Sequence, residues 1–299
     1  MKTQVYPLIK QLLSSRLTET GREYMENATE EIAAGVTRQR FSALLSMASR
    51  HARRDALALT EQELADAAQA VPGWSPAAWN RLELLRAALV LARSDLDQAT
   101  FSDDFEGLFR FADQGELCAL YRCLPLLPQG ERFVARAAEG CRTNMATVFE
   151  AVALDSPYPV QHFNDTAWHQ LVIKALFLDL PVYRITGLDG RLTAELTRMA
   201  LDWADERASA GRSFHTGLWL CLGPYEGQRV EDLIVGHWSD AAPSERQAMG
   251  FALARAHRLD CLDAQLTQEQ DSQIREQLER ARDGHYGQEL FGPLFSTGQ

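Results

Sequence analysis

The sequence predicts an all-α protein made of antiparallel helix pairs, in the manner of a HEAT-like or α-solenoid-like bundle. Three observations carry this. Apolar residues recur at three- and four-residue spacing along most of the chain, and the stretches between them are short Pro/Gly turns. Period-2 alternation is nearly absent, with only Gly217 to Leu222 hinting at a strand. Two helix pairs, near residues 105–153 and 165–210, are loosely repetitive without a fixed period.

From Tyr24 to about Arg53, the residues Ile32, Val36, Phe41, Leu44, Leu45 and Met47 fall at helical spacing and predict one or two amphipathic helices. Thr60 with Glu63 is a capping box opening a helix toward Ala70, because each side chain can take up a free N–H of the first turn. Ser75 followed by Pro76 reads as an N-cap and first-turn proline before Trp79 to Leu91. Arg93 to Ser102 is a polar connection. Asp103 with Glu106 reads as another box, opening a helix that runs through Leu124 and stops ahead of Pro125 and Pro128.

Glu131 to Leu154 reads as one helix with Cys141, Met145, Val148 and Val152 on its apolar face, ended by the run SPYP. Asp165 caps the next, Thr166 to Leu180, and a polar turn through Gly187, Asp189 and Gly190 leads to Leu192 to Ala210, stopped by Gly211. Beyond Pro224, Ser244 and Gln247 box a helix reaching Arg258, and a charged helix spans Asp271 to Asp283. Phe291, Leu294 and Phe295 give the tail an apolar face for the body or for another chain. The chain divides on this reading into a helical region over 1–100, a helical core over 101–225 and a C-terminal helical region and tail over 226–299.

Composition bounds the partners. A net charge of −11 over 299 residues argues against nucleic acid, whose phosphate backbone needs a clustered positive field, although a local basic patch is compatible with that total. Five cysteines, an odd number without CxxC spacing and set among apolar residues, suit reduced, buried thiols in a cytoplasmic protein. The opening run MKTQVYPLIKQLLSSRL is too short and interrupted for a secretory signal. The longest apolar stretch, Leu171 to Tyr183, is broken by Lys174, Asp179 and Pro181, so no membrane span is expected. There is no Walker loop, GxGxxG, nucleophile elbow or HExxH, and nothing calls for a cofactor.

Chemistry is expected in the stretch from Cys141 to Arg212. The helix from Thr166 is apolar nearly all round, which leaves Lys174 on a narrow polar strip; it either snorkels, pairs with a carboxylate, or faces a ligand. Asn144 falls on an apolar face, where a buried amide either ties helix backbones together or looks into a polar pocket shared with Lys174. Glu206 and Arg207 flank Trp203, and Arg207 with Arg212 has the forked geometry to grip an anion, unless both belong to a solvated charge run. His162, Asp165 and His169 have metal-ligand types at helical spacing, but the helix start separates His162 from the others and no fourth ligand follows, so no metal is expected.

The ordered pieces FADQGELCALYRCLPLLP, RAAEGCRTNMATVFEAVALDSPYP, FNDTAWHQLVIKALF, GLDGR, and DERASAGR followed by Leu218-Trp219 resemble the EboA family of bacterial metabolite-traffic proteins. They cover residues 105–224 closely and the remainder more loosely. The resemblance implies a helical cytoplasmic protein of secondary metabolism, acting on a small-molecule metabolite beside other cluster-encoded proteins, a membrane prenyltransferase among the candidates. With a helical, repeat-like pattern and no recognisable catalytic motif, the expected role is a binding or docking module, with an enzyme acting on a small anionic metabolite through Lys174 and Glu206 as the alternative. Carried over by position, the family-like polar residues are Asn144, Tyr158, Asp165, Lys174, Asp189, Arg191, Glu206, Arg207 and Arg212. Three departures stand out: Ser156 in the NPYP pattern, His169 where the family tends to have Asn, and Asp205 with Ala208 in place of a His and a Trp. The replaced His weakens a mechanism built on a general base at position 205 and favours a binding or structural role for that segment.

Overall fold

The computed structural model describes residues 2–295, with side chains from Gln4 onward. Among the described residues all regular elements are helical, and an isolated bridge joins Ala56 and Asn80. The chain forms two compact units that divide between Asn164 and Asp165.

The first unit holds α1 (Lys2–Ser14), α2 (Glu19–Ala34), α3 (Arg38–Met47), α4 (Glu61–Ala70), α5 (Arg81–Leu91), α6 (Ala99–Leu108), α7 (Gln114–Cys123), α8 (Val134–Arg142), α9 (Ala146–Ala153) and α10 (Tyr158–His162). Its centre is α5, in which every residue from Leu82 to Leu91 is buried, including Glu83 and Arg86. A helix without an exposed stripe must be covered on all sides, and α1, α2, α3 and α7 cover this one. Beyond it, α7 packs on α9 and α9 on α8. Phe101, Phe105 and Phe133 fill the space beside them with edge-on ring contacts.

The second unit holds α11 (Asp165–Phe177), α12 (Ala194–Ser209), α13 (Gly227–His237), α14 (Pro243–Arg255), α15 (Leu259–Gln268), α16 (Ser272–Arg282) and α17 (Gly292–Phe295). Here α14 is the buried centre, with α13, α15, α16 and the turn Thr216–Cys221 against it, while α11 pairs with α12. The tail closes on its own unit: Phe291 is fully buried against Phe251, and Phe295 contacts Tyr183.

Several expectations hold. The Thr60–Glu63 box forms, the threonine oxygen accepting from Glu63 N at 3.2 Å and the carboxylate from Thr60 N at 2.8 Å. Gly211 stops α12 with φ +66°, and the N–H groups of Gly211 and Arg212 reach back to Ala208 and Arg207. Others are corrected. α5 starts at Arg81 under an Asn80–Glu83 box, and Ser75 sits in the preceding turn. Asp103 and Glu106 lie inside α6, and the box that opens α7 is Asp113–Glu116. The predicted strand Gly217 to Leu222 is a buried 3-10 turn, since Thr197 and Arg255 take up carbonyls there in place of a neighbouring strand. α14 begins with Pro243 and has no side-chain cap from Ser244.

Candidate functional site

The helix predicted over Glu131 to Leu154 is broken at Thr143-Asn144-Met145, where the Thr143 hydroxyl accepts from Met145 N at 3.2 Å and turns the chain. α9 then folds back on α8, and the close approach depends on Gly140: a Cβ there would meet the Tyr121 ring at 2.7 Å and Val152 at 2.8 Å. Asn144 therefore stands exposed at a turn, not on a buried face. Tyr158 is buried in the same unit, its hydroxyl donating to the Gly130 carbonyl at 2.5 Å, and burial pushes its phenol above the ordinary range. The SPYP run is thus a structural knot, with Ser156 Oγ accepting from Tyr158 N at 3.3 Å.

The remaining predicted residues belong to the second unit. Lys174 is half-buried in the last turn of α11, but that helix is not covered all round, because Phe177 is 69% exposed. Arg191 donates to Asp165 at 2.7 Å and lies 4.8 Å over the Trp168 ring. Asp189 accepts from the buried Arg255 at 2.7 Å and from Gln288 N at 2.8 Å, holding the GLDGR turn to α14 and the tail. Arg207 donates to the Ser213 carbonyl at 2.7 Å and covers Trp203, while Glu206 and Arg212 are exposed, not inward-facing. His169, buried, shares a 2.8 Å hydrogen bond with Thr193, the cap of α12, and burial lowers its imidazole below the usual value. Among the described residues no three His, Cys, Asp or Glu side chains converge as metal ligands.

A cavity in the first unit has the polar groups of a binding site. It measures about 40 Å³ and lies among α3, α5, α6 and α7, with Arg86 and Glu116 as its charged groups and Leu45, Val90, Leu120 and Cys123 among its apolar ones. Arg86 is 2% exposed. Its Nε donates to the Leu45 carbonyl at 3.1 Å and its Nη2 to Glu116 at 3.4 Å, but Nη1 is buried with no protein acceptor. A buried, unpaired N–H of a cation is costly and calls for an oxygen from elsewhere. Burial pulls the guanidinium below its usual pKa, opposed by the Glu116 and Asp113 carboxylates.

Glu116 is held in place from two sides. Its backbone and side chain form the box with Asp113, and the Ser46 hydroxyl donates to it at 2.6 Å. Phe111, which also lines the cavity and is 82% exposed, stands where it meets solvent. Burial raises the Cys123 thiol far above its usual pKa, so it supplies no thiolate nucleophile. The arrangement can bind and orient an oxygen-bearing group. None of the nine polar residues singled out from the sequence lines this cavity. Its signal was present in the sequence: Arg86 interrupts the apolar run LLRAALVL just as Lys174 interrupts its own.

No helix among the described residues is long and apolar enough to cross a membrane. No curated protein and no solved structure matches the chain. A family model described as metabolite traffic protein EboA matches residues 5–223, which include the whole Arg86 cavity, all the sequence-singled polar residues and most of the helices above. With that match extending over more than half its length, the chain belongs to the EboA family.

Proposed function

We propose that this chain is a non-catalytic binding module of metabolite traffic that holds a small organic acid, its carboxylate against Arg86 and its apolar body along Phe111. The observation behind this reading is the buried Arg86 Nη1, which has no protein acceptor yet lines a cavity. A volume of about 40 Å³ suits a single polar group and not a whole metabolite, so the rest of the ligand lies outward at the exposed aromatic ring. A carboxylate there would take the free Nη1 donors in charge-assisted hydrogen bonds. On this reading the module presents a secondary metabolite to enzymes encoded beside it, a membrane prenyltransferase among them.

The test is untargeted mass spectrometry of small molecules carried by the protein purified from its native host. The expected result is an acidic species present in the wild type and lost in both Arg86→Gln and Phe111→Ser; the second site is exposed, so that variant keeps the fold. Lys174→Ala retains the species, and the isolated protein does not convert it. A species kept by both cavity variants, or turnover lost in Lys174→Ala, overturns the reading in favour of an enzyme using Lys174 and Glu206.

A further inference from the structure

The first unit carries a second feature, independent of the Arg86 cavity. The 3-10 turn Ala48–Arg50 and the segment after it fold against the starts of α2 and α5, and a cleft of about 590 Å³ opens there. Arg16, Thr18, Arg50, His51, Arg53 and Arg81 line it, with Asp55 as its carboxylate.

These cations differ in how far they are already satisfied. Arg16 is saturated: it holds Glu63 at 2.7 and 2.8 Å and donates to the Leu12, Leu57 and Ala58 carbonyls. Arg81 is not, because its ion-pair partner Asp55 stands 3.6 Å away, beyond hydrogen-bond length, and its Nε is buried without an acceptor. Arg50 and Arg53 are exposed. Beyond the saturated Arg16, three arginines and one carboxylate therefore line the cleft, in a chain whose net charge is −11. Thr18 adds the positive end of α2, a helix of 16 residues that it caps.

The backbone that presents these groups is anchored. The His51 ring stacks face to face on Tyr24 at 4.0 Å, and Gly21 permits the approach, since a Cβ there would meet the His51 carbonyl at 2.7 Å. Leu82 N donates to the Arg53 carbonyl at 3.2 Å and Arg81 N to that of Asp55 at 3.0 Å, so the segment is tied to the first turn of α5. Arginines on a backbone held this way lose less freedom when they close on a ligand.

We propose that this cleft binds a phosphate or diphosphate group. Planar guanidinium forks match the oxygens of a tetrahedral anion two at a time, which a lysine cannot do. The cleft has the size of a small-metabolite pocket, and the acidic remainder of the chain repels a long polyanion while leaving a compact one free to enter.

The experiment is calorimetric titration of the full-length protein with inorganic pyrophosphate, followed in parallel by phosphorus NMR. The expected result is saturable binding that weakens at least about tenfold in the Arg50→Gln/Arg53→Gln double variant, as loss of charge-assisted hydrogen bonds requires. Both substituted positions are exposed, and circular dichroism checks that the fold is kept. Arg86→Gln binds pyrophosphate as the wild type does, which separates this site from the acid-binding cavity. Vesicles of phosphatidylcholine with and without phosphatidic acid identify the source of the group. Capture by the acidic vesicles that is lost in the double variant assigns the site to a lipid headgroup; binding of pyrophosphate alone assigns it to a soluble metabolite. No binding in either arm, an affinity unchanged in the double variant, or tighter binding of an RNA oligonucleotide than of pyrophosphate overturns the proposal.

Discussion

A guanidinium inside a protein needs acceptors, and Arg86 and Arg255 meet that need differently. Arg255, 5% exposed, donates to the Leu220, Leu222 and Tyr286 carbonyls and to Asp189. Arg86 finds only the Leu45 carbonyl and a long contact to Glu116. Orphaning a buried acceptor costs roughly 1–3 kcal/mol, so Arg255→Met should lower the stability of its unit by about 3 kcal/mol or more in urea unfolding. Arg86→Met should cost less, because it orphans the Leu45 carbonyl alone, while Glu116 keeps its hydrogen bonds from the Ser46 hydroxyl and Asp113 N. A residue whose removal abolishes ligand at the smaller cost in stability is retained for binding. The same contrast explains the sequence reading: both arginines and Lys174 interrupt apolar helices, and nothing local tells which one has its acceptors supplied by distant backbone.

At the scale of elements, helix starts were legible as a pattern and ambiguous as a place. A Ser, Thr, Asp or Asn followed three residues later by Glu or Gln occurs repeatedly; Thr60–Glu63, Asn80–Glu83 and Asp113–Glu116 form boxes, whereas Asp103–Glu106 lies within a helix. What decides is which first turn the neighbouring helices leave open to its cap. The box at α4 carries a pH prediction. Hydrogen bonds from Arg16, then from Thr60 N, hold the Glu63 carboxyl down at about 2. A lowered carboxylate pKa contributes stability that is present above the ordinary glutamate value of about 4.3 and lost as pH falls toward 2. The melting temperature should drop across that window, and Glu63→Gln should flatten the drop. The α8–α9 corner carries a packing prediction. Gly140→Ala gains up to about 1 kcal/mol of helix propensity but forces a methyl into Tyr121 and Val152, an overpacking worth about 1–3 kcal/mol. Urea unfolding should show a net loss of about 1 kcal/mol.

For the whole molecule, the five cysteines give a readout of native packing. Cys118, Cys123, Cys221 and Cys261 are buried and Cys141 is half-buried. Burial raises the Cys221 thiol to about 12 and pushes those of Cys118, Cys123 and Cys261 upward as well. Since only the thiolate reacts, a disulfide reagent should label the native protein at Cys141 first, with all five reacting after denaturation. Rapid labelling of a second thiol in native protein would contradict the packing described.

The all-helical class and most of the turns were legible in the chain, because apolar periodicity and Pro/Gly punctuation are local and repeat with every turn of helix, and the family was legible from its ordered motifs. Tertiary structure alone decided what the charged residues do. Their partners lie far along the chain: Arg86 Nε and the Leu45 carbonyl are 41 residues apart, and Arg255 and Asp189 are 66 apart. Only the packed fold brings such groups within hydrogen-bond reach, and only it leaves the Nη1 of Arg86 and the Nε of Arg81 without protein acceptors.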